Sequence, residues 1–260
     1  TADPKTVLVV GGGPAGLEAA RIAALKGHKV VLAEASARLG GAVNIARRAP
    51  RRMGIGDITE WLEREVYRLG VDVRLSCYVQ AEEVAEIAPD VVIVATGSLP
   101  RMDGRQYLSP GTSAAGMGRA HVVSSHDLLL ENSNRNWGRS AVVYDDAGHY
   151  EAVAAAEFLI EKGVAVTYVT GLNRFAPGLE TSLSAEPALE RLAVGDFRFI
   201  PYARLAEVGE GTARIAFRYG GKPLDVDADT VVFVSHNASN RELIDALADW
   251  QGQVIAVGDA

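Results

Sequence analysis

The sequence predicts an α/β protein made of two doubly wound parallel sheets, each covered by helices. Short runs rich in Val, Ile and Leu alternate with helical patterns along the 260 residues. The runs are almost continuously apolar, as in parallel strands that are buried on both faces. A later strand–helix–strand unit repeats the first, down to EKGVAVTYV against LKGHKVVLA. Two such units indicate two related folds with right-handed crossovers.

The first part of the chain supplies four predicted strands and two predicted helices. The strands are Thr6–Val10, Lys29–Glu34, Val71–Leu75 and Val91–Ala95. The first helix, Pro14–Leu25, is rich in Ala and Leu, and Gly27 is its expected stop. The second helix is expected over Ile58–Leu69. Its core face would carry Ile58, Trp61, Leu62, Val66 and Leu69, a capping box would join Asp57 and Glu60, and Gly70 would end it.

The amino-acid composition changes at Arg101–Gly118. This segment is rich in Pro, Gly and Ser and is expected to be a loop or linker. The second unit is predicted from strand Ser140–Tyr144, helix Ala152–Lys162 and strand Val164–Thr170, and it is finished by strands Arg214–Arg218 and Thr230–Val234. Val254–Val257 is expected to return to the first sheet. These elements predict one domain over residues 1–112 and 237–260, with a second domain, 113–236, inserted in it.

Composition excludes several classes of protein. A net charge of −7 argues against nucleic-acid binding, which needs a basic face. No apolar run approaches the ~20 residues that span a bilayer, and no signal-peptide pattern opens the chain. We therefore expect a soluble, cytoplasmic protein without a membrane partner. Cys77 is the only cysteine, which excludes an internal disulfide and an iron–sulfur cluster held by this chain; it is expected to be a small core residue.

A basic run stands out against the acidic background: Arg47, Arg48, Arg51 and Arg52. Short basic runs are commonly solvated loops, which is one interpretation. The other is that one of these arginines contacts a phosphate.

The strongest motif follows the first strand directly. In VLVVGGGPAGLEAA, Gly11, Gly13 and Gly16 have the spacing G-x-G-x-x-G and open a helix. The first glycine permits a tight turn, the second lets the backbone approach a pyrophosphate, and the third lets helix and strand pack closely. The positive end of the helix dipole then favours phosphate. These features predict a Rossmann-like dinucleotide-binding domain.

Glu34 ends the next strand, where an acidic side chain accepts hydrogen bonds from the ribose of an adenosine. A glycine turn that binds nothing is the alternative, and the strand, the helix and the acid together argue against it. Because Glu34 would repel a 2′-phosphate, the predicted ligand is FAD, NAD or ADP.

Four segments occur in an order that resembles a known family: GGGPAGLEAAR, ASARLGGAVNIARRAP, DVVIVATGSLPR and VIAVGDA. They are similar to the C-terminal half of the trimethylamine dehydrogenase and 2,4-dienoyl-CoA reductase (NADH:flavin oxidoreductase) family. The resemblance covers essentially the whole chain and implies two dinucleotide-binding domains of the glutathione-reductase type, with FAD or ADP in the first. It also implies an N-terminal TIM barrel, as a domain or subunit, that carries FMN and a 4Fe-4S cluster and is absent from this chain.

The resemblance assigns roles residue by residue. It places Gly11, Gly13, Pro14, Ala15 and Gly16 at the pyrophosphate, Glu34 at the ribose, Gly40, Gly41 and Asn44 beside the nucleotide, Val79 at the adenine, Ala95, Thr96 and Gly97 at the edge of the pocket, and Asp259 at the ribityl chain of a flavin. Two departures concern the flavin end. Ala42 replaces a long polar residue, and the helix that follows the Gly-Asp pair in the family is missing.

The second unit lacks a glycine-rich turn. Its sequence is YDDAGHYEAVAAAEFL, in which Asp145 and Asp146 end the strand, Gly148 is the remaining glycine and Ala152 replaces the helix-packing one. Carboxylates beside a pyrophosphate repel it, and Thr170 is not the acid expected for a ribose. We therefore expect a degenerate NAD(P)-binding-like domain. His121, His126, His149 and His236 are scattered singly and are expected to be solvated or structural, so no catalytic residue is predicted.

Three hypotheses follow. In the first, the chain is the nucleotide-binding half of an oxidoreductase resembling amine dehydrogenases and demethylases, which passes electrons to an electron-transfer protein. In the second, it is an FAD-containing, NADH-dependent reductase domain that feeds a flavin/iron–sulfur partner. In the third, it is a docking module with an empty first loop, which the intact glycine turn disfavours.

Overall fold

The computed structural model describes residues 3–130 and 135–260; the predicted domain ranges also include residues 1, 2 and 131–134, which lie outside the described residues. The strands are β1 Thr6–Val10, β2 Lys29–Ala33, β3 Asp72–Arg74, β4 Val91–Val94, β5 Ser98–Leu99, β6 Val122–Val123, β7 Ser140–Asp145, β8 Ala165–Thr170, β9 Phe197–Ile200, β10 Ala203–Val208, β11 Thr212–Phe217, β12 Leu224–Asp227, β13 Thr230–Val234, β14 Ala238–Ser239 and β15 Gln253–Ala256. The helices are α1 Pro14–Leu25, α2 Val43–Ala46, α3 Asp57–Arg68, α4 Ala81–Ile87, α5 Ser125–Leu130, α6 Tyr150–Glu161, α7 Ala185–Leu192 and α8 Glu242–Ala246, with 3₁₀ helices at Met53–Gly56 and Pro177–Leu179.

The chain forms two compact units. Unit 1 comprises residues 1–47, 52–99 and 238–260, and unit 2 comprises residues 48–51 and 100–237. Unit 2 is thus inserted in the sequence of unit 1. The domain boundaries expected from the sequence lie elsewhere, at 112/113 and 236/237, and they stay a prediction.

Unit 1 is built on a five-stranded parallel sheet in the order β15-β4-β1-β2-β3. Apolar clusters cover both faces of this sheet. Val9 belongs to one cluster and its neighbour Leu8 to the other, and neither is exposed to solvent. This two-sided burial explains the continuous apolar runs of the sequence. The return of the last strand to the first sheet is confirmed, because β15 pairs with β4.

Unit 2 contains a second five-stranded parallel sheet, in the order β6-β13-β7-β8-β9, and a three-stranded antiparallel sheet, β10-β11-β12. The predicted α/β class with two Rossmann-like sheets is confirmed. The strand expected at Arg214–Arg218 is present as β11, and it belongs to the antiparallel sheet of unit 2. The burial of β11 alternates between neighbouring residues, as expected for a sheet with one solvated face.

Helix α3 differs from its prediction in its start and in its face. It begins at Asp57 after Gly56, without a side-chain cap, so the capping box was wrong. Glu60 instead forms an ion pair with Arg47 at 2.8 Å. Ile58 and Trp61 are 51% and 42% exposed, although they were expected in the core. The buried stripe is narrower, and it consists of Thr59, Leu62 and Val66.

Candidate nucleotide-binding site

The first glycine loop requires its glycines. Gly11 has φ +109°, and a Cβ at this position would overlap the carbonyl oxygen of Ala95. A Cβ on Gly16 would likewise overlap the carbonyl oxygen of Gly11. Helix α1 starts at Pro14 directly after Gly13, which has no side chain with which to cap it. The loop therefore presents its backbone and the positive end of the helix dipole to the space outside β1.

A second pair of glycines packs against this loop. The N–H of Gly40 donates to the carbonyl of Gly12 at 2.8 Å, and a Cβ on Gly41 would lie 2.9 Å from the Cα of Gly13. Asn44 supports the turn, since its Nδ2 donates to the carbonyl of Leu39 at 2.7 Å. The structure thus gives Asn44 a positioning role, and its contact with the nucleotide stays a prediction.

Glu34 lies at the carboxyl end of β2 and is half-buried. Its Oε2 accepts from the N–H of Gly12 at 2.6 Å, and its Oε1 accepts from the N–H of Ser36 at 2.7 Å. A carboxylate has about four acceptor positions. These two bonds therefore fix the side chain against the loop and leave one acceptor position on each oxygen for a pair of hydroxyl donors.

A cavity of about 410 Å³ opens at this end of the unit 1 sheet. Four predicted residues line it: Gly11, Glu34, Val79 and Thr96. Three carboxylates also line it, those of Glu34, Glu82 and Glu242, and no lysine or arginine among the described residues does. The cavity therefore favours a ligand whose exposed end carries no negative charge.

Residues 240–246 contribute a wall to this cavity that no sequence motif indicated. Tyr78 donates to Oε2 of Glu242 at 2.9 Å, and this hydrogen bond raises the pKa of the tyrosine hydroxyl. Leu243 is buried and, like Val79, contributes an apolar surface to the lining of the cavity. Residues 240–246 follow a loop without a recognisable motif. The apolar residues Leu243 and Leu247, four positions apart, were the only sequence feature that could have indicated a helix here.

Residues 95–97 lie at one edge of the cavity, which Thr96 lines, and the role expected of them at a bound nucleotide stays a prediction. The N–H of Ala95 donates to the carbonyl of Val10 at 2.8 Å. The hydroxyl of Thr96 donates to the carbonyl of Asn240 at 2.7 Å, and the N–H of Asn240 donates to the carbonyl of Gly97 at 2.8 Å. This double link holds the edge of the cavity in place.

Asp259 directly follows a glycine that packs against the first turn of α1. Its neighbour Gly258 has φ +72°, and a Cβ on Gly258 would lie 2.9 Å from the Cβ of Ala15 in the first turn of α1. Asp259 is exposed to solvent. The chain thus brings this carboxylate beside the start of α1, whereas its contact with a ribityl chain stays a prediction.

Three arginines of the basic run have partners of their own. Arg47 pairs with Glu60 at 2.8 Å, and Arg51 pairs with Glu161 at 3.2 Å. Arg48 donates to the carbonyl of Leu130 at 3.1 Å. These contacts favour the interpretation of the basic run as a structural and solvated segment. Cys77 lies beyond the end of β3; it is partly buried, packs against an apolar core cluster of unit 1 and also lines the cavity.

In unit 2 the corresponding turn is filled by its own carboxylates. Oδ1 of Asp145 accepts from the N–H groups of Ala147 and Gly148 at 3.0 and 2.8 Å, and Oδ2 accepts from the hydroxyl of Tyr168 at 2.6 Å. A Cβ on Gly148 would lie 2.5 Å from the side chain of Leu172, so the mouth of the turn is narrow. Backbone donors of this kind bind phosphate in a working loop.

Burial raises the pKa of Asp145, although its hydrogen bonds from Tyr168 and the turn oppose the shift. A carboxyl whose pKa is higher in the folded state stabilises the fold below its unfolded pKa, and this contribution is lost as the pH rises through the folded pKa. For Asp145→Asn, we expect the melting temperature relative to wild type to rise as the pH increases from about 4 to about 8. Thermal unfolding at several pH values measures this difference.

Asp229→Asn is the control, because backbone N–H groups of Arg139 and Ser140 lower the pKa of Asp229. Its contribution is present above the unfolded pKa and is lost as the pH falls through the folded pKa. Asp229→Asn should therefore differ from wild type by a constant amount between about pH 4 and 8 and gain relative to wild type only below about pH 4, whereas Asp145→Asn gains as the pH rises. A flat difference for Asp145→Asn would contradict the prediction.

Two further features of residues 3–130 and 135–260 bear on the class of protein. No group of three or more His, Cys, Asp or Glu side chains is arranged to hold a metal ion there. None of the described helices is both long enough and apolar enough to cross a membrane.

Comparison with known proteins agrees with this geometry. A probable N-methylproline demethylase from Rhizobium meliloti (strain 1021) is 35% identical over 236 residues, which cover 89% of this chain and 33% of the demethylase. Histamine dehydrogenase from Rhizobium sp. 4-9 superposes with a TM-score of 0.90 at 27% identity, covering 100% of this chain and 41% of the dehydrogenase. A 6-hydroxypseudooxynicotine amine oxidase from Pseudomonas geniculata N1 superposes with a TM-score of 0.92 at 29% identity, covering 98% of this chain and 39% of the amine oxidase.

The chain spans about a third of the length of the first curated relative. The family model described as pyridine nucleotide-disulphide oxidoreductase matches residues 5–235. The resemblance to trimethylamine dehydrogenase-like proteins is thus confirmed, and the chain belongs to the pyridine nucleotide-disulphide oxidoreductase family, whose members bind dinucleotides.

Proposed function

We propose that unit 1 binds the adenosine diphosphate moiety of FAD or ADP. The observation that carries this proposal is the juxtaposition of the Gly11–Gly16 loop with the carboxylate of Glu34 at one end of the cavity. The loop offers backbone donors to a pyrophosphate, and Glu34 has two acceptor positions for the ribose hydroxyls. The adenine would lie further along the cavity, against Val79 and Leu243.

The residues present fit this ligand. The overlap that a Cβ would cause at Gly11 or Gly16 shows that the loop backbone packs too tightly for any larger side chain. The acidic lining suits an adenosine without a 2′-phosphate, because a phosphate there would face Glu34, Glu82 and Glu242. When FAD is the ligand, its isoalloxazine supplies electron-transfer chemistry, and this chain's residues bind and orient the nucleotide half.

The test is to denature the purified protein and identify the released nucleotide by mass spectrometry, after recording the visible spectrum. Stoichiometric FAD with a flavin spectrum would establish a redox-active first unit. Colourless protein that releases ADP would establish a structural nucleotide. Protein that releases neither, and that binds neither when they are added, would refute the proposal.

Glu34→Gln should weaken ADP binding to the nucleotide-free protein by about ten- to a hundredfold, since a hydrogen bond to a charged group contributes about 1.5–3 kcal/mol. It should also narrow the preference for ADP over its 2′-phosphorylated form. Isothermal titration calorimetry measures both affinities. Glu86→Gln is the control, because Glu86 is exposed on α4 in the same unit and does not line the cavity. Unchanged affinity in Glu34→Gln would contradict the assigned role.

We propose further that unit 2 does not use NAD(P)H. Support comes from Asp145, whose carboxylate already accepts the N–H donors of the turn that a pyrophosphate would need. The reductase hypothesis, in which NADH reduces a flavin bound by unit 1, is the alternative. NADH added anaerobically to the flavin-loaded protein distinguishes the two: an unchanged flavin absorbance supports the proposal, and bleaching supports the alternative.

For the complete protein, we propose a flavin-dependent oxidoreductase that acts on amines, by analogy with the demethylase, dehydrogenase and amine oxidase to which the chain is similar. The substrate site, with FMN and a 4Fe-4S cluster, would lie in an N-terminal TIM-barrel domain or subunit, and an electron-transfer protein would accept the electrons. Assaying amine oxidation by the complete protein, with an artificial electron acceptor, tests this part separately from nucleotide binding.

A further inference from the structure

A second cavity, of about 790 Å³, lies within unit 2. Ser235 and His236 line it, and they directly follow β13. In the sheet of unit 2, β13 and β7 are neighbours from which the strand order runs in opposite directions. In doubly wound sheets, ligands bind outside the carboxyl ends of the strands at such a switch point. The cavity therefore occupies the position in unit 2 where a ligand is expected.

The charge of this cavity is opposite to that of the unit 1 cavity. Arg101 and Arg105 line it, and no carboxylate among the described residues does. Both guanidinium groups approach a single carboxylate, that of Asp103, at 3.9 and 3.5 Å. These contacts are too long for good charge-assisted hydrogen bonds. Two cations that share one anion leave a net positive charge, in a protein whose overall charge is −7.

The wall of the cavity combines an aromatic surface with a fixed backbone. The rings of Tyr107 and His236 are in edge-to-face contact, with centroids 5.1 Å apart. The buried carboxylate of Asp146 accepts from the backbone N–H of Tyr107 and from the hydroxyl of Ser235, the latter at 2.9 Å. Asp146 therefore anchors both sides of the wall, and it presents no acceptor to the cavity itself.

We propose that this cavity binds a small organic anion, a carboxylate or phosphate attached to a planar ring, through Arg101 and Arg105. A guanidinium presents a planar fork of donors that matches these oxyanions, and Tyr107 with His236 provides the surface for the ring. The ligand differs from a dinucleotide held by a glycine loop, because the donors of that loop in unit 2 are taken by Asp145. The site is independent of nucleotide binding in unit 1.

The test is calorimetric titration of the purified chain with benzoate and with phenyl phosphate, using benzyl alcohol as the uncharged probe. At least one anion should bind, and benzyl alcohol should not. The double variant Arg101→Ala/Arg105→Ala should weaken binding by about tenfold or more. Arg198→Ala, which alters an exposed arginine on β9 of the same unit, should leave it unchanged. Tighter binding of benzoate would assign a carboxylate ligand, and tighter binding of phenyl phosphate would assign a phosphate.

A second measurement locates the site without a substitution. Arginines are modified with phenylglyoxal, with and without the probe, and the modified peptides are identified by mass spectrometry. Protection of Arg101 and Arg105, with Arg198 unprotected, supports the proposal. Absence of binding by both anions, binding that persists in the double variant, or protection of other arginines only would overturn it.

Discussion

Gly16→Ala is expected to abolish nucleotide binding and to destabilise unit 1 by about 3 kcal/mol or more. The added methyl group would overlap the carbonyl oxygen of Gly11, and it would also lie 3.1 Å from the Cβ of Ala95. Backbone atoms cannot move aside as a flexible side chain can, so α1 would be pushed away from β1. The loop would then lose the conformation that directs its N–H groups to a pyrophosphate. Nucleotide content and thermal unfolding measure the two effects.

Gly54→Ala is the matched control for this variant. Gly54 lies in the 3₁₀ helix of unit 1, has no neighbour within 4 Å of an added Cβ, and does not have a positive φ. It should keep the bound nucleotide and its melting temperature. If Gly16→Ala behaved like this control, the close packing assigned to the third glycine of the motif would be wrong.

Asp146→Ala is expected to destabilise unit 2 by about 3–5 kcal/mol. The carboxylate is buried and accepts from four donors: the N–H groups of Tyr107 and Leu108 and the hydroxyls of Tyr144 and Ser235. Alanine would leave most of them buried without an acceptor. The segment that carries Tyr107 would lose its attachment to β7, so the anion cavity of unit 2 would open as well. Chemical denaturation measures the change.

Asp196→Ala provides the comparison, because Asp196 is an exposed aspartate in the same unit. No residue in the part of the chain that the structure describes donates a hydrogen bond to its side chain, so the change in the free energy of unfolding should stay within about 0.5 kcal/mol. Equal stability of the two variants would show that Asp146 contributes nothing net to the fold.

The glycine loop was predictable because the conformation of each of its residues is determined by neighbouring residues in the sequence. The strand, the tight turn and the helix start are set by neighbours in sequence, and Glu34 follows one strand later. The contacts of Asp145 could not be predicted in the same way. Its charge beside a degenerate loop indicated repulsion of a phosphate, but only the fold reveals that the N–H groups of Ala147 and Gly148 are already taken.

The failures at α3 have a related cause. Periodicity identifies the apolar residues of a helix, but tertiary packing decides how many of them are buried, and it leaves Ile58 and Trp61 exposed. Similarly, the acid three residues after Asp57 matches a capping box locally, whereas in the fold Glu60 forms an ion pair with Arg47, which precedes the helix. The cavity wall formed by residues 240–246 could not be predicted, because the contact between Tyr78 and Glu242 joins residues that are far apart in the sequence.

The discontinuity of unit 1 has a consequence for the order of folding. Strand β15 pairs with β4, with Gln253 opposite Val91, although all of residues 100–237 separate the two strands in the sequence. Leu243 and Leu247 belong to the same apolar cluster as Leu8. A ribosome releases residues 100–237 before residues 238–260, and domains generally fold as they emerge. Until residues 238–260 have emerged, β4 has an unpaired apolar edge, which is a template for association with other chains. Unit 2 can therefore complete its sheet first. The pairing of β15 with β4 is a late step in forming the nucleotide site, because it must wait until residues 238–260 have been synthesised.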